Sequence, residues 1–161
     1  AGVMLVPDQP QALREMARVT RPGGRVVVIA YGPPSEFEAL SFIVRALQSV
    51  NPDFEGIPSN PPPLEFQVSD ADVLGRRLEA AGLRNVEVDT AHREEIEIRS
   101  GRQLWEWCLG SNPIPGMLVA DLANGQKTAM RARMDEMIRE RAAGRDLAVL
   151  TAPLNVGLGT K

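Results

Sequence analysis

The sequence is poor in the residue types that usually announce chemistry. Among 161 residues there is one cysteine, Cys108, one histidine, His92, and one tyrosine, Tyr31. A lone cysteine excludes an internal disulfide framework and makes a cytoplasmic setting the default expectation. One histidine and one cysteine supply too few ligands for an ordinary transition-metal centre, so no metal is expected. No apolar run approaches the ~18 residues of a membrane span, and no secretory pattern opens the chain. Charge of neither sign dominates: 18 Lys and Arg face 21 Asp and Glu, for a net charge of -3. That balance gives no electrostatic footprint for nucleic acid or for an anionic membrane. Arg131, Arg133, Arg139, Arg141 and Arg145 do cluster, but Asp135, Glu136, Glu140 and Asp146 alternate with them, as on a solvated helix face.

What is present is an ordinary globular balance, 43% apolar and 24% charged, in a length sufficient for one domain with a core. Asp8 followed by Gln11, with Pro10 in the first turn, predicts a capped helix whose inner face is Leu13, Met16, Ala17 and Thr20. Pro22-Gly23-Gly24 stops it and reverses the chain. The run Val26-Val27-Val28-Ile29-Ala30 predicts a strand covered on both faces, as in a parallel α/β sheet. Ser35 and Glu38 predict the start of a second helix carrying Phe37, Leu40, Ile43, Val44 and Leu47. Residues 51–63 are rich in Pro, Gly and Asn, and are expected to be an ordered loop anchored by Phe54, Ile57, Leu64 and Phe66. A third helix starts at Ser69 or Asp70, buries Val73, Leu74, Leu78 and Ala81, and stops at Gly82. Period-two alternation around Val86-Val88 and again around Ile96-Ile98 predicts strands. Residues 101–109 read as helix, 112–116 as turn, 117–122 as a short helix and 126–142 as a longer one. Residues 147–160 read as one or two short strands.

The order of these elements, and four stretches within them, resemble a known family. Residues 12–28, ALREMARVTRPGGRVVV, are similar to the helix and fifth strand of class I S-adenosylmethionine-dependent methyltransferases of the ubiquinone/menaquinone-biosynthesis type. Residues 78–88, LEAAGLRNVEV, resemble that family's last helix and sixth strand. Residues 154–161, LNVGLGTK, resemble its terminal seventh strand, and MLVPD at residues 4–8 resembles the stretch after strand four. The resemblance implies an α/β fold: the carboxy-terminal half of a Rossmann-like sheet, strands 5, 7 and 6. Residues 33–66 and 91–150 would be helical substrate-cover insertions within a single incomplete domain spanning 1–161.

One departure from the family pattern is large. Its Gly-rich turn, which opens a helix after the first strand and lets backbone approach the cofactor, is missing here. Gly101 and Gly157-Leu158-Gly159 stand in the wrong context. The resemblance therefore places residues 1–4 near the end of a fourth strand and leaves the main S-adenosylmethionine contacts outside this chain. It implies that Gly2 and Met4 touch the methionine part of the cofactor, against the alternative of a frayed terminus. Tyr31 ends the fifth strand and either positions a substrate or packs. Trp105 and Trp107 point to different helix faces; one anchors the core and the other lines an apolar substrate pocket. The methionines at 117, 130, 134 and 137 suit a buried helix face or an adaptable apolar site. His92 sits in a charged stretch, where a surface role outweighs that of general base.

The expected function is thus part of a methyltransferase acting on a small, apolar acceptor, with S-adenosylmethionine as its cofactor. Two alternatives remain: a non-catalytic binding or dimerisation module, and one half of a split enzyme. A homodimer or a missing amino-terminal half would be the partner, since a sheet lacking strands exposes an edge.

Overall fold

The computed structural model describes residues 2–111 and 113–161; Ala1, and Asn112 of the expected turn, lie outside them. The chain divides into two compact units. The first comprises Ala1–Glu36, Pro58–Glu94 and Ala152–Lys161, the second Phe37–Ile57 and Glu95–Thr151.

The first unit is built on helix α1 (Gln9–Val19), strand β1 (Arg25–Tyr31) and helix α3 (Ala71–Ala80). Asp8 caps α1 by accepting from the Gln11 backbone N–H at 2.9 Å. The Gln11 side chain turns outward to accept from Arg14 instead of completing the reciprocal box. Gly23 takes φ +75°, and Gly24 has no room for a Cβ beside the Thr20 methyl and the Arg21 carbonyl. The corner is tied to the chain's last residue by Gly23 N–H to the Lys161 carbonyl (3.0 Å) and by Lys161 N–H to the Gly24 carbonyl (2.9 Å). Asp70 caps α3, and Gly82 at φ +90° follows its end as expected.

Strand β2 (Arg84–Ile98) and strand β3 (Ala148–Thr160) complete a three-stranded sheet of order β1-β3-β2. β1 and β3 run antiparallel, with Val26 opposite Gly159, Val28 opposite Gly157 and Ala30 opposite Asn155. This corrects the reading of the valine run. β1 is covered on one face only: Val26, Val28 and Ala30 are buried, whereas Val27 and Ile29 are 53% and 39% exposed. Four β-branched residues in a row hide the alternation, because composition alone cannot tell a one-sided strand from a two-sided one.

Against the covered face pack Leu13 and Ala17 of α1 and Leu74 and Leu78 of α3, with Met4, Val68 and Leu83 completing the cluster. Gly157 and Gly159 explain themselves here. A Cβ on either would stand 2.7 Å from Leu78 Cδ1 or 2.8 Å from Leu83 Cβ, so bare backbone is what lets α3 and its exit lie flat on β3.

The second unit contains α2 (Glu38–Val50), α4 (Gly101–Ser111), α5 (Pro113–Val119) and α6 (Asn124–Ala142). α6 packs on both α2 and α4, burying Met130, Met134, Met137 and Ile138 with Ile43, Leu47 and Leu104. The four-residue spacing of Met130, Met134 and Ile138 thus marks a core face. Gly101 lies so close to α6 that a Cβ would sit 2.2 Å from the Asp135 nitrogen, and its own N–H donates to the Asp135 carboxylate at 2.6 Å.

Several boundaries differ from expectation. Ser35 belongs to a 3-10 turn, Pro34–Glu36, and caps nothing; Glu38 opens α2 and accepts from the Thr151 N–H at 2.6 Å and from Arg141 at 3.2 Å. The expected pair of strands around residues 86 and 97 is one strand through the polar segment Asp89–Glu94. The short helix expected at 117–122 starts at Pro113, because proline suits a first helical turn. Residues 148–160 form a single long strand.

Candidate functional site

Tyr31 is the last residue of β1, and the chain leaves it through Gly32. Gly32 donates to the Pro153 carbonyl at 2.8 Å and has Pro153 Cβ 2.9 Å from where its own Cβ would be. The strand end is therefore fixed by β3, and Tyr31 projects from a rigid base. Its hydroxyl donates to Glu94 Oε2 of β2 at 3.0 Å. Burial, helped by the Glu94 and Glu65 carboxylates, pushes its phenol far above the ordinary tyrosine value, so it stays protonated.

Glu65 comes to the same place from the 3-10 turn Leu64–Phe66, which packs on β1. It is only 4% exposed, and burial raises its carboxyl above the usual range. Nearby, Arg93 pairs with Glu36 at 3.2 Å. The turn that carries Glu65 is held by Gln9. Gln9 is fully buried and donates to the Leu64 carbonyl at 2.8 Å and the Met4 carbonyl at 3.1 Å, while Arg77 donates to its side-chain oxygen. Asn155, also buried, donates to the Ser69 carbonyl at 2.7 Å and fixes the next stretch.

The structure thus brings Tyr31, Glu65 and Glu94 together at the end of β1. Sequence reasoning named only the first. Glu65 follows three prolines and Leu64, where a charged residue reads as loop surface; the one signal available was its position between two apolar anchors, Leu64 and Phe66.

The remaining candidates are placed as follows. Gly2 is exposed, and nothing stands within 4 Å of where its Cβ would be. Met4 lies in a 3-10 turn, Val3–Leu5, with its side chain in the core. Trp105 and Trp107 are both half-buried on α4, and the Arg131 guanidinium lies 5.4 Å from the Trp105 ring centre. His92 is exposed and 3.1 Å from Asp89. The backbone N–H of Ala91, and then His92, hold the Asp89 carboxyl below the usual range. Cys108 is buried and its thiol is pushed up to about 12, which suits a small core residue. Among the described residues no group of side chains could hold a metal, and no helix is long and apolar enough to cross a membrane. A separate groove between α1 and α3 is lined by Arg14, Arg76 and Arg77.

No family model matches the chain. Curated relatives do. The chain is 36% identical over 95 residues to the demethylmenaquinone methyltransferase of Mycolicibacterium gilvum, covering 53% of this chain and 40% of that protein. To the enzyme of the same name from Mycobacterium tuberculosis it is 35% identical over 95 residues, 53% of this chain and 39% of the other. A shorter match to that of Mycolicibacterium paratuberculosis reaches 46% over 63 residues, 32% and 27% of the two chains. The chain spans about two fifths of the length of these relatives. Over about half of its own length it is related to menaquinone-biosynthesis-type methyltransferases, which agrees with the resemblance read from its segments.

Proposed function

We propose that this chain is the carboxy-terminal part of an S-adenosylmethionine-dependent methyltransferase acting on a small, largely apolar acceptor of the demethylmenaquinone class. The identity of 35–46% to enzymes of that name carries the reading. The sheet supports it independently. Its last strand in sequence lies between the other two and runs against β1, as strand 7 lies between 5 and 6 in the family that the sequence resembles. On this reading β1, β3 and β2 are those three strands, and the setting is cytoplasmic.

The cofactor supplies an activated methyl group; the protein contributes alignment and exclusion of water. Within this chain Gly2 and Met4 are the residues assigned to the cofactor. Met4 has its side chain in the core, which leaves backbone as the available contact and too little to hold the whole group. No step is therefore routed through it. Residues 33–66 and 91–150 take the substrate-cover role, with Trp105 and Trp107 as apolar contacts. The support is that Phe37–Ile57 and Glu95–Thr151 form a compact helical unit with a core of its own.

The test is a fusion that places the amino-terminal part of the Mycobacterium tuberculosis relative ahead of this chain. Given S-adenosylmethionine labelled in the methyl group and a demethylnaphthohydroquinone, it is expected to transfer label to the acceptor. A folded fusion that binds the cofactor and transfers none contradicts the reading. A second reading, a module that self-associates through its sheet, is favoured by the exposure of Val27 and Ile29 on the edge strand.

A further inference from the structure

We propose that the groove between α1 and α3 binds a phosphate group carried on a small apolar body, with Arg14, Arg76 and Arg77 as the residues that hold it. Val73, Arg76, Arg77 and Ala80 recur at helical spacing and share one face of α3; Pro10 and Arg14, four apart, share one face of α1. The two helices pack together, and these side chains line a hollow of about 290 Å³. No acidic residue lines it. Where its guanidinium groups are held, they are held by neutral amides. Arg77 donates to the side-chain oxygen of Gln9, which is itself buried and anchored on the Met4 and Leu64 carbonyls. Arg14 donates through Nε and Nη2 to Gln11 Oε1, at 3.0 and 2.8 Å. Arg76 makes no hydrogen bond or ion pair with any described residue.

An amide oxygen orients an arginine without cancelling its charge. On α6 the same residue type is neutralised instead, where Arg133 pairs with Glu136 and Glu140. The acids nearest the groove do not play that part. Glu15, beside Arg14, pairs with Arg18. Asp72 and Glu79 line a different hollow, between α3 and β2, and make no ion pair with Arg76. Three guanidinium groups around one hollow repel each other, and an anion seated among them relieves this. The planar guanidinium fork engages two oxygens of an oxyanion at once, and each of the three keeps N–H donors unspent. A phosphate has enough oxygens to meet several forks, whereas a carboxylate has two. Pro10, Val73 and Ala80 supply apolar wall for the body that carries the phosphate. The groove shares no residue with the cluster at the end of β1, so its occupancy is separate from methyl transfer.

The experiment titrates phenyl phosphate, inorganic phosphate and benzyl alcohol into this chain, followed by calorimetry and by the arginine side-chain N–H resonances. Phenyl phosphate is expected to bind one-to-one and roughly tenfold more tightly than inorganic phosphate, because its ring covers apolar wall. Its affinity should fall as salt is raised, and benzyl alcohol should not bind. Arg76→Gln should weaken phenyl phosphate several-fold, and Arg14→Gln with Arg76→Gln together should abolish its binding. Both positions are exposed, so the variants should keep the parent's circular dichroism. Arg102→Gln, at an exposed position of α4, should leave binding unchanged. Vesicles of phosphatidylcholine with and without phosphatidic acid distinguish two sources of the phosphate. Retention by phosphatidic acid that the double variant loses assigns it to a lipid headgroup; binding of phenyl phosphate without such retention assigns it to a soluble compound. No saturable binding of phenyl phosphate, binding that survives the double change, or an equal loss with Arg102→Gln overturns the proposal. Label transfer by the fusion described above is independent of these outcomes, so the inference can fail while the family reading stands.

Discussion

At the scale of single residues, three buried polar side chains shape the first unit: Gln9, Asn155 and Glu65. Two are satisfied, since Gln9 spans two carbonyls and Asn155 donates to one. Glu65 differs in that burial raises its carboxyl, and linkage gives this effect a sign. Its carboxyl is raised in the folded state, so over the interval above the ordinary carboxylate value the folded chain holds more protons than the unfolded one. Stability contributed by this group therefore falls as pH rises through that interval and is recovered on acidification. Glu65→Gln is expected to raise the melting temperature at neutral pH by a few degrees and to flatten the stability profile just above the ordinary range. A thermal-melt series across pH checks both, and a lowered melting temperature at pH 7 would contradict the assignment. None of these three residues was legible in the sequence. Gln9 sits beside a helix cap, Asn155 in a glycine-containing strand and Glu65 after a proline run, all places where a polar residue ordinarily meets water.

At the scale of elements, glycines and edges decide what can change. Gly101 touches the backbone of α6, with no flexible side chain to give way. Gly101→Ala should force α4 and α6 apart and cost about 1–3 kcal/mol, the usual range for overpacking, while Gly110→Ala, with open space around it, should stabilise α4 slightly. Denaturant melts of the two variants separate these outcomes, and equal stabilities would show the α4–α6 contact to be looser than described. β1 has β3 as its one neighbour among the described strands, and its open face shows Val27 and Ile29. Such an edge is a template for association. The wild-type chain should self-associate with rising concentration, and the double change Val27→Lys with Ile29→Lys should suppress this in light scattering. A wild-type chain that stays monomeric at high concentration removes the second reading.

The helices were largely legible because caps and 3.6-residue spacing are local: Asp8, Asp70, Gly82 and the methionines of α6 mark them. The sheet was less so. One-sided cover of β1 depends on which strands and helices lie beside it, and β2 runs straight through Asp89–Glu94, where no apolar alternation exists to signal a strand.

At the scale of the whole molecule, the family likeness was readable from short segments, two of which, residues 12–28 and 78–88, combine a turn with the start of a strand, a pairing that composition rarely produces by chance. The division into two compact units was not readable from composition or periodicity; only the family resemblance set residues 33–66 and 91–150 apart. Each core is assembled from stretches far apart in sequence, and residues 37–57 and 95–151 carry no composition boundary at either end. A demand on this chain follows: relatives to which it is similar are named methyltransferases, yet it has no Gly-rich turn for the cofactor's phosphate-free nucleoside and offers little besides Gly2 and Met4 in its place. Titration calorimetry of S-adenosylmethionine into the purified chain examines that demand most directly. The expected result is no saturable heat at micromolar concentrations; one-to-one binding in that range would contradict it.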